Sequence, residues 1–397
     1  MFLSVGELCL GRNTGRDQEA ASEGKKRENI VEERGFHNNI LGQGATLEEE
    51  LSSLALIMKK PRDRKIIISY LGWDGKGKKR LQAVADKFGI TRERVRQIAN
   101  RFEERFKKKG EKKITDMPLL QRALSLVESN IPALASELES KLEEARIAKS
   151  AFRVEGIRTA AQIMEREVTF RVEKLRKITM QRIVISSGDV SHVRPTMRMA
   201  RKDIKFRGAA SVSDIARRFY GESFASKARN FIAVVLRSLE YFQWLDRKGE
   251  WFWFSDARKN HLIKKIKKIL AVVDSITIAD MHDGIKRSSR VRGVAPPADV
   301  LLELCRQNEW CSVEDDMIIA DPRENFERYL SGGERELQEV FEEHGPMIAM
   351  SDIKRICSDR GKGFLSTEQY LLDSPIFKSY EHDVFGLIGA DKLGRKG

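Results

Sequence analysis

Arg92, Glu93, Arg96, Gln97 and Asn100 lie within nine residues of chain and, wound as a helix, gather on one side of it. Guanidinium, amide and carboxylate groups present donors and acceptors in planar pairs. That is the chemistry that recognises base edges in the major groove of duplex DNA, and these five are the candidate base-reading residues. Around them Lys78, Lys79, Arg80, Thr91, Arg94, Arg101, Lys107 and Lys108 carry ammonium, guanidinium and hydroxyl groups suited to phosphate, whose contacts position a protein without reading sequence. Arginines at 92, 94 and 96 also open a helix whose N-terminus is already partly positive. A polyanionic partner approaching that end explains such a cost.

The elements that must position these side chains are legible in "LQAVADKFGITRERVRQI". Ala85 stands four residues before Gly89, and Val84, Phe88, Ile90, Val95 and Ile98 are the apolar positions. Two helices crossing steeply need a small side chain at their contact and a residue tolerant of positive φ between them, which is the pattern of a helix-turn-helix. Thr91 is placed to cap the second helix, and Val95, Ile98, Phe102 and Phe106 share its inner face. A solvated basic face on an ordinary helical hairpin is the alternative, but it requires neither Ala85 nor Gly89 at these spacings. Upstream, Thr46 and Glu49 have capping-box spacing ahead of Leu51, Leu54 and Met58, and a further helix starts at Pro61 and stops at the glycines from Gly72.

With the helix "KKPRDRKIIISYLGWDG" before it, "RLQAVADKFGITRERVRQIANRFEERF" resembles the fourth region of housekeeping-type bacterial sigma factors. The likeness covers about 46 to 110. It implies that Arg92, Glu93, Arg96 and Gln97 contact bases of a promoter element, and that the domain docks on RNA polymerase. The chain departs from the family in two places. It lacks the acidic and aromatic second region that melts the promoter, and "GKGKKRLQAV" stands where the family has a Thr-Leu-Glu-Glu-type start. A promoter-reading module joined to other domains is expected, not a self-sufficient sigma factor.

The 397 residues carry a net charge of +14. Between Lys59 and Gly110 there are 18 lysines and arginines against 6 acids, so one module holds most of the excess. Nucleic acid fits this better than a membrane, for no apolar run approaches the length of a span and the N-terminus has no basic segment of a signal peptide. A cytoplasmic, nucleoid-associated location is expected. Cys9, Cys305, Cys311 and Cys357 are scattered and read as buried thiols, and no His, Cys or carboxylate spacing implies a metal, a cofactor or nucleophilic catalysis. A non-enzymatic protein is expected. "GWDGKGKK" (72 to 79) nearly matches a P-loop but has Lys79 in place of the magnesium-binding hydroxyl, and "LSGGE" (330 to 334) resembles a transporter ATPase signature. Both glycine clusters are better explained as helix stops or starts.

The remainder repeats. "FQWLDRKGEWFWFSDARKN" (242 to 260) and "NEWCSVEDDMIIADPREN" (308 to 325) share a Trp, a polar turn, an apolar strand and Asp-x-Arg-x-Asn, at an offset of 65 to 66 residues. "VSDIARRF", "IADMHDGI" and "MSDIKRIC" precede the successive tails. Each copy reads as helix, short helix, longer helix and β-hairpin, the order of a winged helix; a generic helical repeat with a packing hairpin is the alternative. The expected fold is mainly α with small β-hairpins. Its parts are a flexible arm (1–45), a sigma-like helix-turn-helix domain (46–110), a less regular winged-helix-like unit (111–188) and three more (189–258, 259–325, 326–397). "RPTMRMARKDIKFRG" and the lysines of "ARKNHLIKKIKKIL" give the second unit a basic, phosphate-tracking character, whereas "EDDM" and "GGERELQEVFEEHG" are acidic. The expected function is sequence-specific binding of double-stranded DNA as a transcription regulator. The alternative is an adaptor that docks on RNA polymerase, or serves a defence system, while its C-terminal repeats bind another protein.

Overall fold

The computed structural model describes residues 45–109, 117–174, 181–257, 259–287, 295–361 and 364–390. The architecture is mainly helical with small antiparallel three-stranded sheets. The described residues up to Ile131, with Ala135–Val172, form one compact unit; Pro132–Leu134, with those from Glu173 onward, form a second. The expected arm lies, up to residue 44, outside the described residues.

In the first unit, α1 (Leu47–Leu54) follows Thr46, whose N–H donates to the Glu49 carboxylate at 3.2 Å, and buries Leu47, Leu51 and Leu54. α2 (Pro61–Leu71) starts with proline where no N–H is needed and ends at Gly72 with φ of 78°. α3 (Leu81–Phe88) ends at Gly89 with φ of 60°, and α4 (Arg92–Lys109) begins three residues later. Val84, Ala85, Val95, Ile98, Phe102 and Phe106 are all buried, and Trp73 meets Phe102 edge-on at 5.8 Å between ring centres. α5 (Pro118–Ser129), α6 (Ala135–Glu144) and α7 (Val154–Ile163) follow; β1 (Ala133–Leu134), before α6 in the chain, belongs to the second unit, and β2 (Phe170–Glu173), after α7, ends at the boundary. The expected boundary at 110 falls outside the described residues, and the segments on its two sides share this unit.

One carboxylate shows how they are joined. Met117, the N-cap of α5, has no oxygen to offer the free N–H groups of the first turn. Glu50 on α1, 1% exposed, accepts from Leu119 N–H at 3.0 Å and Leu120 N–H at 2.7 Å instead. A charged acceptor at a buried helix N-terminus satisfies two donors and the helix dipole together. Glu50→Ala is therefore expected to cost about 2 kcal/mol, read as a lower urea midpoint.

In the second unit β1 pairs antiparallel with β3 (Ile183–Ser186). The chain then runs through the same order of elements three times. The first pass is α8 (Val193–Arg207), β4 (Ala210–Ser211), α9 (Val212–Tyr220), α10 (Ala225–Arg237), β5 (Phe242–Trp244) and β6 (Trp251–Phe254). The second is α11 (His261–Ile269), β7 (Ser275–Thr277), α12 (Ile278–Arg287), α13 (Ala298–Arg306), β8 (Cys311–Glu314) and β9 (Met317–Ala320). The third is α14 (Gly332–His344), β10 (Met347–Ala349), α15 (Met350–Asp359), α16 (Phe364–Asp373), β11 (Phe377–Glu381) and β12 (Val384–Leu387). In every pass the third strand lies between the first and second. The same chain order, helix, strand, helix, helix, strand, strand, also runs from α5 to β3.

A copy this small buries little on its own, and neighbours complete each other. Leu245 and Trp253 of the 193–254 copy and Ile388 beyond β12 join the core of the 261–320 copy. Asn260 caps α11 by accepting from Leu262 and Ile263 N–H, while its own amide donates to the Gly208 carbonyl at 2.9 Å. Gln307 accepts from Trp253 Nε1 and donates to the Trp244 carbonyl, both at 2.8 Å.

The lysines of α11 do not form the expected phosphate-tracking side. Lys264 is exposed, but Lys265 and Lys267 are buried. Lys267 reaches Glu324 and the Tyr329 hydroxyl, both at 3.2 Å, beneath the Trp310 ring. Lys268 donates to both oxygens of Glu334 at 2.6 Å. Acids and aromatic rings 43 to 66 residues further along cover a face that local periodicity assigns to solvent.

Candidate nucleic-acid interface

The turn between α3 and α4 forms without any of the five candidate base-reading side chains. Gly89 leaves the right-handed helix, and Ile90 N–H returns to the Ala85 carbonyl at 3.1 Å. Arg62, from α2, donates to the Phe88 carbonyl at 2.7 Å and so closes the C-terminus of α3. No local pattern points to that contact, since 26 residues separate the pair. Thr91 caps α4, its hydroxyl accepting from Arg94 N–H at 3.2 Å and its carbonyl from Val95 N–H. Burial of Val95, Ile98, Phe102 and Phe106 then fixes the rotation of α4.

That rotation places all five candidate base readers, Arg92, Glu93, Arg96, Gln97 and Asn100, on the exposed side. Arg96 binds both oxygens of Glu93, with Nη2 at 2.6 Å and Nε at 2.9 Å. This hydrogen bond holds the Glu93 carboxyl below the usual range and raises the Arg96 guanidinium. With its amide nitrogen toward the Arg96 carbonyl, Asn100 donates to that oxygen and accepts from Arg96 Nη1, each at 3.2 Å. Arg94 Nη1 donates to Gln97 Oε1 at 3.2 Å, and the Gln97 amide in turn bonds to the Glu93 carboxylate. No family model matches this chain, and no curated protein matches it.

The candidate phosphate ligands are less uniform. Lys78, Arg80, Thr91, Arg94, Lys107 and Lys108 are exposed, and Arg101 is half-buried. Lys79 is tied into the fold, its ammonium 2.9 Å from Asp74 and 3.1 Å from the Ser69 hydroxyl, because the turn after α2 folds it back over that helix. Lys78 and Lys107 border a cleft of about 220 Å³ that Glu103 and Glu165 also line, so acids there counter the pull on an anion. The glycine-rich stretch behind Lys79 is a turn in which Gly72, Gly75 and Gly77 all take positive φ.

Among the described residues no group of His, Cys, Asp and Glu is arranged to hold a metal. Cys305, Cys311 and Cys357 are buried free thiols. No helix among the described residues is long and apolar enough to cross a membrane.

Proposed function

We propose that the chain is a sequence-specific duplex-DNA-binding protein that reads its site with α4 in the major groove and acts in transcription. One observation carries the reading: the N-terminal half of α4 exposes Arg92, Glu93, Arg96, Gln97 and Asn100 together, over a buried apolar face and a left-handed glycine turn. This arrangement suits a recognition helix. The Glu93–Arg96 pair orders the guanidinium on the helix surface ahead of binding, and contact with a guanine edge would exchange part of that pairing for the base. The repeated order with a central third strand is that of a winged helix, which supports tandem winged-helix units behind the reading domain.

The test is to select bound fragments from random duplexes and compare variants on selected and random DNA. Arg92→Ala and Gln97→Ala are expected to lose about 1–3 kcal/mol on the selected site and to relax its sequence preference. Lys107→Ala is expected to weaken both DNAs alike. Equal losses on both DNAs for every variant would sink base reading.

A protein partner is a second role favoured for the last copy. The exposed side of α14 carries Glu336, Glu339, Glu342 and Glu343, a surface that repels phosphate and suits a basic protein face. RNA polymerase, implied by the sigma-like motif, is the first partner to try.

A further inference from the structure

We infer that α8 is a second, sequence-independent contact for the phosphate backbone of duplex DNA. The inference rests on nucleic acid being the partner, but it does not need α4 to read bases.

The exposed residues of α8 include Arg194, Arg198, Arg201, Lys202 and Lys205, and its buried ones are Val193, Thr196, Met197, Ala200, Asp203 and Ile204. Arg194, Arg198, Lys202 and Lys205 follow one another at three or four residues, with Arg201 next to Lys202, so they form a ladder along one face, with steps of about 6 Å and a length of about 16 Å. The helix has one acid, Asp203, which is buried and engaged by Arg218 from α9. The acid facing the ladder from a packed element is Asp256, 3.2 Å from Arg201, and the Phe254 ring lies beneath the same guanidinium. Arg201 is thus partly neutralised, while Arg194, Arg198, Lys202 and Lys205 keep the field positive. Arg194 stands in the first turn of the helix, where the dipole disfavours it.

The other copies act as an internal control. The topologically equivalent α11 exposes Lys264 but covers Lys265, Lys267 and Lys268, and α14 exposes four glutamates. A generic need for solubility would charge these helices alike. Only α8 among the three has a continuous cationic face, and a linear array of that kind complements a duplex, which carries one negative charge per roughly 1.7 Å of axis.

The experiment uses the full chain and follows affinity against salt on a selected duplex, on a random-sequence duplex and on phosphatidylserine vesicles. The variant combines Arg194→Ala, Arg198→Ala, Lys202→Ala and Lys205→Ala; a charge-keeping control carries Arg194→Lys and Arg198→Lys. Circular dichroism and the urea midpoint report folding. The expected result is a salt slope lower by about 0.9 for each phosphate that is no longer neutralised, on both duplexes, with the selected-to-random ratio preserved and the control near wild type. An unchanged slope in a folded variant would overturn the inference. So would loss of vesicle binding with DNA binding intact. Arg92→Ala and Gln97→Ala report on α4 separately through the selected-to-random ratio, so either reading fails without the other.

Discussion

Glu334→Ala is expected to cost about 3 kcal/mol, because it strands the half-buried Lys268 ammonium. Glu334 is 2% exposed at the first turn of α14, and its carboxylate accepts from Lys268, the Ser331 N–H and hydroxyl, and the Ser374 hydroxyl at 2.6 Å. Burial pushes this carboxyl up, but the bonds from Lys268, Ser331 and Ser374 together outweigh it and leave it below its ordinary value. A group lowered on folding contributes stability above its unfolded-state pKa, and that stability is lost as pH falls through the folded-state value. The wild-type urea midpoint should therefore drop as acid titrates this site, and Glu334→Ala should show a lower midpoint at neutral pH and a shallower drop. A variant that unfolds at the wild-type midpoint would show that the pair stabilises nothing. Lys268→Met, which removes the cation and keeps much of its stem, leaves the acid unpaired and should also destabilise.

Gly72→Ala is expected to lower stability by about 3 kcal/mol or more, through two additive causes: strain and overpacking. The residue has φ of 78°, where an L side chain costs roughly 1–2 kcal/mol. A Cβ there would also sit 2.2 Å from the Gly77 carbonyl carbon and 2.4 Å from Lys78 N, and backbone held in a turn cannot step aside. The overpacking adds about 1–3 kcal/mol. Gly89→Ala is the matched comparison: its φ is 60°, but nothing lies within 4 Å of an added Cβ. It should show the backbone cost alone. Equal urea midpoints for the two variants would remove the steric half of the account.

Local features were the legible ones. Ala85 and Gly89 at their spacing, Thr91 as a cap and the alternation of Val95, Ile98 and Phe102 mark the helix pair, since each acts within a turn or two of chain. The copies were legible through Trp244 and Trp310, which fall at the close of β5 and just before β8. The equivalent carboxylates diverge in use, Asp256 engaging Arg201 and Asp321 engaging Arg323. What stayed hidden depends on partners far along the chain. Lysines at 265, 267 and 268 carry the pattern of a solvated face, and only the arrival of Glu324, Tyr329 and Glu334 buries them. Glu50 reads as a surface acid until α5 brings it two free N–H groups. Lys79 reads as one more cation of a basic run until the glycine turn sets it on Asp74. The basic run of 194 to 207 was visible as composition, but its resolution into a ladder required the burial of the opposite side of α8.

The interlocking of the copies has an electrostatic consequence. Since Asn260, Gln307 and the shared core make the 193–254 copy continuous with its successor, and Lys268 with Glu334 continues that bond into the last copy, charge in this unit cannot be rearranged by swinging linkers. A body with a cationic helix fixed in its first copy and an anionic helix fixed in its last has a permanent moment. Near a polyanion it experiences a torque as well as an attraction, so it arrives already turned.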